Sequence, residues 1–141
     1  VELKLGIRGH EEEVLKIIKS AENYKKIWIH TSHRAIIKNV RKINKEIKIG
    51  LIVIFSLFHN LMLSYYKIFV KRYDVNFFSV DEIFVNKYFV PSFINQLHKM
   101  GIKVYVWTLN DLVTMRKGIE LKVDGIITNY PGILRKLTPK N

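Results

Sequence analysis

The sequence predicts an α/β fold with a parallel sheet, and three observations carry that prediction. Short β-branched runs alternate with segments of helical apolar spacing from one end of the chain to the other. A strand followed by a helix and another strand reads as a parallel crossover, because the helix returns the chain over a face of the sheet. The 141 residues are 48% hydrophobic and contain no cysteine. That is one domain's length of chain, able to bury roughly 70% of its unfolded surface without disulfide support.

The elements follow in order. Val1-Glu2-Leu3-Lys4-Leu5 reads as a strand, and Gly6 and Gly9 punctuate the turn after it. Glu11, Glu12 and Glu13 open a helix that is expected to reach about Tyr24, with acids in the first turn where the helix dipole favours them. Residues 27–31 read as a strand and 35–43 have helical apolar spacing. The next strand is expected over 47–54, a helix over 57–71 and a short strand over 76–80. Asp81 and Pro91 are candidate starts for one or two helices ending near Gly101. A strand over 103–107 follows, then a helix over 111–121 capped by Asn110 or Asp111, then a strand over 125–128 leading into Tyr130-Pro131-Gly132. Six strand signals result, with no linker, repeat or low-complexity tract to divide residues 1–141 into domains.

Composition narrows the function classes. Without cysteine, thiolate metal sites and thiol nucleophiles are excluded, leaving oxygen ligands and histidine. The 24 Lys and Arg against 12 Asp and Glu give a net charge of +12. The cations are spread over the polar positions of amphipathic segments and accompany no base-reading motif, so no nucleic-acid partner is expected. An affinity for anionic substrates or membrane surfaces is the milder inference. Residues 47–70 form the most apolar stretch, long enough to raise a membrane span. Ser56, His59, Asn60, Ser64 and Lys67 interrupt it, so a strand and a helix are expected rather than stable membrane insertion. The chain opens inside a strand with no initiator Met and no leader; its natural beginning is expected upstream and its location cytoplasmic.

In a parallel α/β fold, function gathers at the carboxyl ends of the strands. Polar residues recur there: Glu2 and Lys4, His30 to His33, Trp107 with Thr108 and Asn110, and Thr128 with Asn129. Glu2 and Lys4 are two apart, so on a strand they share a face, which in a barrel is the interior.

Three stretches resemble the glycerophosphodiester phosphodiesterase family. Glu2-Leu3-Lys4 is similar to its Glu-hydrophobic-Lys strand. Gly101-Ile102-Lys103-Val104-Tyr105-Val106-Trp107-Thr108-Leu109-Asn110 and Val123-Asp124-Gly125-Ile126-Ile127-Thr128-Asn129-Tyr130-Pro131 resemble its closing motifs. The resemblance implies β/α units of a TIM-type (βα)8 barrel, incomplete at the amino-terminal end. It implies hydrolysis of a glycerophosphodiester to an alcohol and glycerol 3-phosphate, assisted by a divalent metal such as Mg or Ca. By analogy Glu2 is a metal ligand, Lys4 neutralises a phosphate oxygen as charge develops, and Trp107 walls the alcohol portion of a small-molecule phosphodiester.

The family's His-Arg-Gly strand, Glu-x-Asp pair and second catalytic His do not occur in this sequence, and Ser32 is followed by His33 where the family often has Phe. Arg8-Gly9-His10 does not restore the first motif, since Ile7 precedes it. The chain alone is therefore expected to be inactive. His30 and His33, beside a strand end, are the residues that could replace the missing acid and base, without further support in the sequence. Residue by residue, bland roles compete: Glu2 as a solvated group by a terminus, Trp107 as core, Asn110 as a helix cap, Asp124 as a turn. The competing function is a non-catalytic module that binds phosphates or a partner, with a second chain or copy completing the barrel.

Overall fold

The β-branched runs become strands and the amphipathic runs become helices in a computed structural model, which describes residues 1–4, 9–53, 68–83, 85 and 91–138. The described elements are α1 (His10–Ser20), β1 (Trp28–Thr31), α2 (Arg34–Ile43), β2 (Lys48–Val53), β3 (Phe77–Asp81), α3 (Pro91–Lys99), β4 (Lys103–Trp107), α4 (Leu112–Glu120), β5 (Gly125–Ile126) and α5 (Pro131–Leu137). Residues 68–73 are also helical. The expected helix over 57–71 otherwise lies outside the described residues, as do Leu5 and Ile54.

The five strands form one sheet in sequence order, β1 to β5, with every pair parallel. Glu2 adds a further parallel bridge to His30 at the β1 edge, through the His30 N–H to the Val1 carbonyl and the Leu3 N–H to the His30 carbonyl, both 2.9 Å. Sequential parallel order with helical returns is the arrangement of barrel-type β/α units.

One face of the sheet packs against helices. Ile29, Ile49, Phe78, Val80, Val104 and Val106 are completely buried there. Helix α2 meets this face with Ile36, Ile37 and Val40, one apolar stripe at helical spacing. Helix α3 does the same with Phe93, Ile94 and Leu97.

The opposite face carries the alternate residues. Its amino-terminal end is filled by Trp28, Phe77 and Tyr105, whose ring centroids lie 5.3–5.4 Å apart. Glycine makes room for them. A Cβ at Gly50 would stand 2.3 Å from the Phe77 ring, and one at Gly125 would stand 2.6 Å from Tyr105, in each case the register neighbour. A large ring beside a residue without a side chain lets the rings pack edge-to-face across adjacent strands.

Several boundaries differ from expectation. Helix α1 ends at Ser20 rather than near Tyr24; the Ser20 hydroxyl donates to the Ile17 carbonyl and Ala21 turns extended, with a short 3₁₀ turn over Tyr24–Lys26. Asp81 opens a turn, accepting from the Ile83 N–H at 2.9 Å, and Ile83 and Val85 just after it are helical; Pro91 begins a further helix. The last strand stops at Ile126 and not at Thr128, and α5 begins directly at Pro131, where a missing N–H costs nothing. The apolar stretch 47–70 opens as strand β2, and no described helix is long and apolar enough to cross a membrane.

Candidate functional site

Parity along the register decides which side chains share a face. His30 pairs with Gly50, Gly50 with Phe77, and Phe77 with Lys103. Residues an even number of places from these point to the same side. Glu2, opposite His30, therefore lies on the face turned away from the helices, together with Ser79, Asp81, Tyr105 and Trp107. The burial of the first segment agrees: Leu3 is 3% exposed, whereas Glu2 and Lys4 on either side of it are exposed. The sheet thus puts Glu2, Lys4 and Trp107 on one face. Glu2 and Lys4 occupy the β1 edge and Trp107 the carboxyl end of β4, with β1, β2 and β3 between.

This face changes character along the strands. Its amino-terminal end is the aromatic layer, flanked by Lys48 and Lys103 at 4.9 and 5.8 Å from the Trp28 ring. Further toward the carboxyl end come polar atoms that lack partners. Among the described residues, the buried His30 Nδ1, Ser79 Oγ and Trp107 Nε1 have no hydrogen-bond partner. All three residues belong to the same face. Buried polar groups are normally hydrogen-bonded, so three unsatisfied ones on one side mark a surface suited to a polar occupant. Burial pushes the His30 imidazole below its ordinary value, and Glu2 opposes this.

The loops at the carboxyl edge are braced by short polar bonds. Asp111, not Asn110, caps α4: its carboxylate accepts from the Val113 and Thr114 N–H groups at 2.9 Å and from the Thr114 hydroxyl. The hydroxyl bond first, then the backbone bonds, hold that carboxyl below the usual carboxylate range. Asn110 accepts from the Asn129 N–H at 3.0 Å and the Thr128 hydroxyl at 3.3 Å, tying the end of β4 to the start of α5. Neither cap nor free ligand group, Asn110 fixes the loop that follows Trp107. Asp124 is more than a turn residue, since its Oδ2 accepts from the Val104 N–H and meets the His98 Nε2, both at 2.8 Å. Leu112, Val113 and Tyr130 stand half or more exposed at this edge, so its rim is partly apolar.

Glu2 is a hard oxygen donor of the kind Mg or Ca prefers. One carboxylate does not make a site: among the described residues no three His, Asp or Glu side chains gather where a metal could be held. His33 precedes α2 without a side-chain cap bond, separate from His30 on the sheet. The common face and the unsatisfied trio arise from strand register, which the sequence does not display; Ser79 carries no sequence signal of its own.

Comparison with known proteins gives a consistent picture. Residues 2–133 match the sequence profile of the glycerophosphoryl diester phosphodiesterase family. A glycerophosphodiester phosphodiesterase of Caldanaerobacter subterraneus subsp. tengcongensis is 27% identical over 143 aligned positions, covering 99% of this chain and 55% of that protein. Among solved structures, an Oleispira antarctica phosphodiesterase in complex with the product sn-glycerol-3-phosphate superposes with a TM-score of 0.77 at 18% identity, over 96% of this chain and 52% of that one. A glycerophosphodiester phosphodiesterase from Thermotoga maritima gives 0.74 at 20% identity, over 97% and 57%. The chain spans about half the length of these relatives.

Proposed function

The chain belongs to the glycerophosphoryl diester phosphodiesterase family, and from that membership we propose that the complete protein hydrolyses glycerophosphodiesters to an alcohol and glycerol 3-phosphate. The observation that carries the reading is the common face of Glu2, Lys4 and Trp107, opposite the helix-packed core, in a chain whose match to the family runs from residue 2 to 133.

The residues then have distinct tasks. The Glu2 carboxylate supplies one oxygen ligand to a divalent cation such as Mg or Ca, which when bound polarises the phosphoryl group. A single carboxylate binds such an ion weakly, so the remaining ligands come from outside the described residues. The Lys4 ammonium faces a phosphate oxygen and offsets the negative charge that grows there in the transition state. Trp107 walls off the alcohol portion and excludes water from one side. In this reading the chain by itself, without the family's His-Arg-Gly strand and Glu-x-Asp pair, is inactive, and a cytoplasmic location belongs to the same proposal.

The experiment is release of glycerol 3-phosphate from glycerophosphocholine by the complete protein. Lys4→Ala lowers kcat by about a hundredfold, the size expected when one charged group that stabilises the transition state is removed, with KM less affected. An unchanged kcat removes Lys4 from the site. If the complete protein shows no turnover yet binds phosphate compounds, the non-catalytic module is the correct reading.

A further inference from the structure

The opposite end of the sheet holds a second feature that the phosphodiesterase reading does not use. Helix α2 ends at Ile43 and the helical residues 68–73 give way to a turn at Asp74, and both lead into the amino-terminal ends of strands, β2 and β3. Between these two helix ends lies a cleft of about 560 Å³, lined among the described residues by Lys38, Arg41, Lys42, Lys45, Arg72, Tyr73 and Asp74. It faces away from the carboxyl edge that carries Trp107. A volume of this size suits a small ligand.

The charges in the cleft are poorly balanced. Five cations meet one carboxylate. Lys38 and Lys42 are four apart on α2, and Lys38 and Arg41 are three apart, so like charges are stacked on one helix face where they repel. The Asp74 carboxylate meets Arg41 at 3.3 Å. Arg41 is committed to the floor of the cleft: it bonds the Asp74 carbonyl at 2.9 and 2.7 Å, the Ile47 carbonyl at 2.7 Å and the Asn76 side chain at 2.8 Å. These bonds lock that floor to both strand entrances. Arg72 lies over the Tyr73 ring, 5.9 Å from its centroid. Lys38, Lys42 and Lys45 are exposed, and no ion pair engages them among the described residues. Exposed ammonium groups clustered around the anchored Arg41, with one carboxylate in the cleft, are an arrangement that gains from an anion of high charge density.

We propose that this cleft is a binding site for a phosphate-bearing anion, held by Lys38, Lys42, Lys45 and Arg72 around the anchored Arg41. The phosphate comes either from a soluble compound or from an anionic lipid headgroup; the cationic chemistry is common to both. The site is separate from the proposed catalytic face, so it stands or falls independently of it.

The test is titration of the full chain with pyrophosphate at low salt, followed by calorimetry, and in parallel co-sedimentation with vesicles of phosphatidylserine and phosphatidylcholine. The variant is Lys38→Gln/Lys42→Gln/Lys45→Gln, and the control is Arg116→Gln/Lys117→Gln/Lys122→Gln, which removes the same charge from exposed positions on and after α4. Circular dichroism confirms that both fold. Saturable pyrophosphate binding that weakens about tenfold or more in the cleft variant, and stays near wild type in the control, supports a soluble ligand. The same contrast with phosphatidylserine vesicles supports a headgroup. Equal weakening in both variants overturns the proposal, because net charge then explains the binding. Absence of binding in both assays overturns it as well, as does binding of an RNA oligomer that the cleft variant abolishes while pyrophosphate does not bind.

Discussion

The two faces of the sheet are made by alternate residues of the same strands and obey opposite rules. On the helix side the strand residues are apolar or internally bonded: Ile29, Ile49, Phe78, Val80, Val104 and Val106 have no exposure. The Thr31 hydroxyl on that side accepts from the His33 N–H at 3.1 Å. On the other side the strands carry Glu2, Lys4, His30, Ser79 and Trp107, and three of these hold buried polar atoms without partners. Sheet faces that are both satisfied and apolar serve stability. A face with charged residues and unsatisfied groups loses stability on its own account and is retained where it serves binding.

Substitutions on the two faces should therefore separate. The largest effect is expected at Phe78, fully buried in the core cluster. Phe78→Ala costs about 3–5 kcal/mol through reduced burial and the cavity left behind, seen as a lower urea midpoint. Gly50→Ala comes next. Its Cβ would meet the Phe77 ring at 2.3 Å, within the aromatic layer of the face turned away from the helices, and the ring must move at a cost of about 1–3 kcal/mol. If the urea midpoint does not fall, the aromatic layer is looser than its geometry implies. The smallest is Ser79→Ala, which deletes an unsatisfied hydroxyl; stability stays level or rises by up to about 1 kcal/mol. A clear fall would show that Ser79 has a partner and that this face is structural, which would break the contrast between the two.

Much of the architecture is legible in the sequence because local patterns are strong. Strand β4 matches expectation at both ends, since Lys103-Val104-Tyr105-Val106-Trp107 is alternating and is preceded by Gly101 in a positive-φ turn. Asp111 is a candidate cap because a carboxylate before an apolar run can meet the free N–H groups of the first turn. The end of β5 falls short of its expected place because the Asn110 side chain takes the Asn129 N–H and turns the chain into α5, a bond between residues 19 apart. Glu2, Lys4 and Trp107 stand out in the sequence as residues at strand ends, and their roles come from the family motifs. That Trp107 shares the face of Glu2 and Lys4 requires the register, and the basic cleft requires Arg72 and Asp74 to reach α2 from about thirty residues away in sequence.

The claim that the Glu2 face carries phosphodiester chemistry is tested most directly by one comparison. Glycerol 3-phosphate release from glycerophosphocholine is measured with the complete protein and its Glu2→Gln variant, each with and without Mg or Ca. The account predicts metal-dependent release that Glu2→Gln reduces about a hundredfold or more, with the circular dichroism spectrum unchanged. Release that is equal in the two proteins, or that ignores the metal, would contradict it.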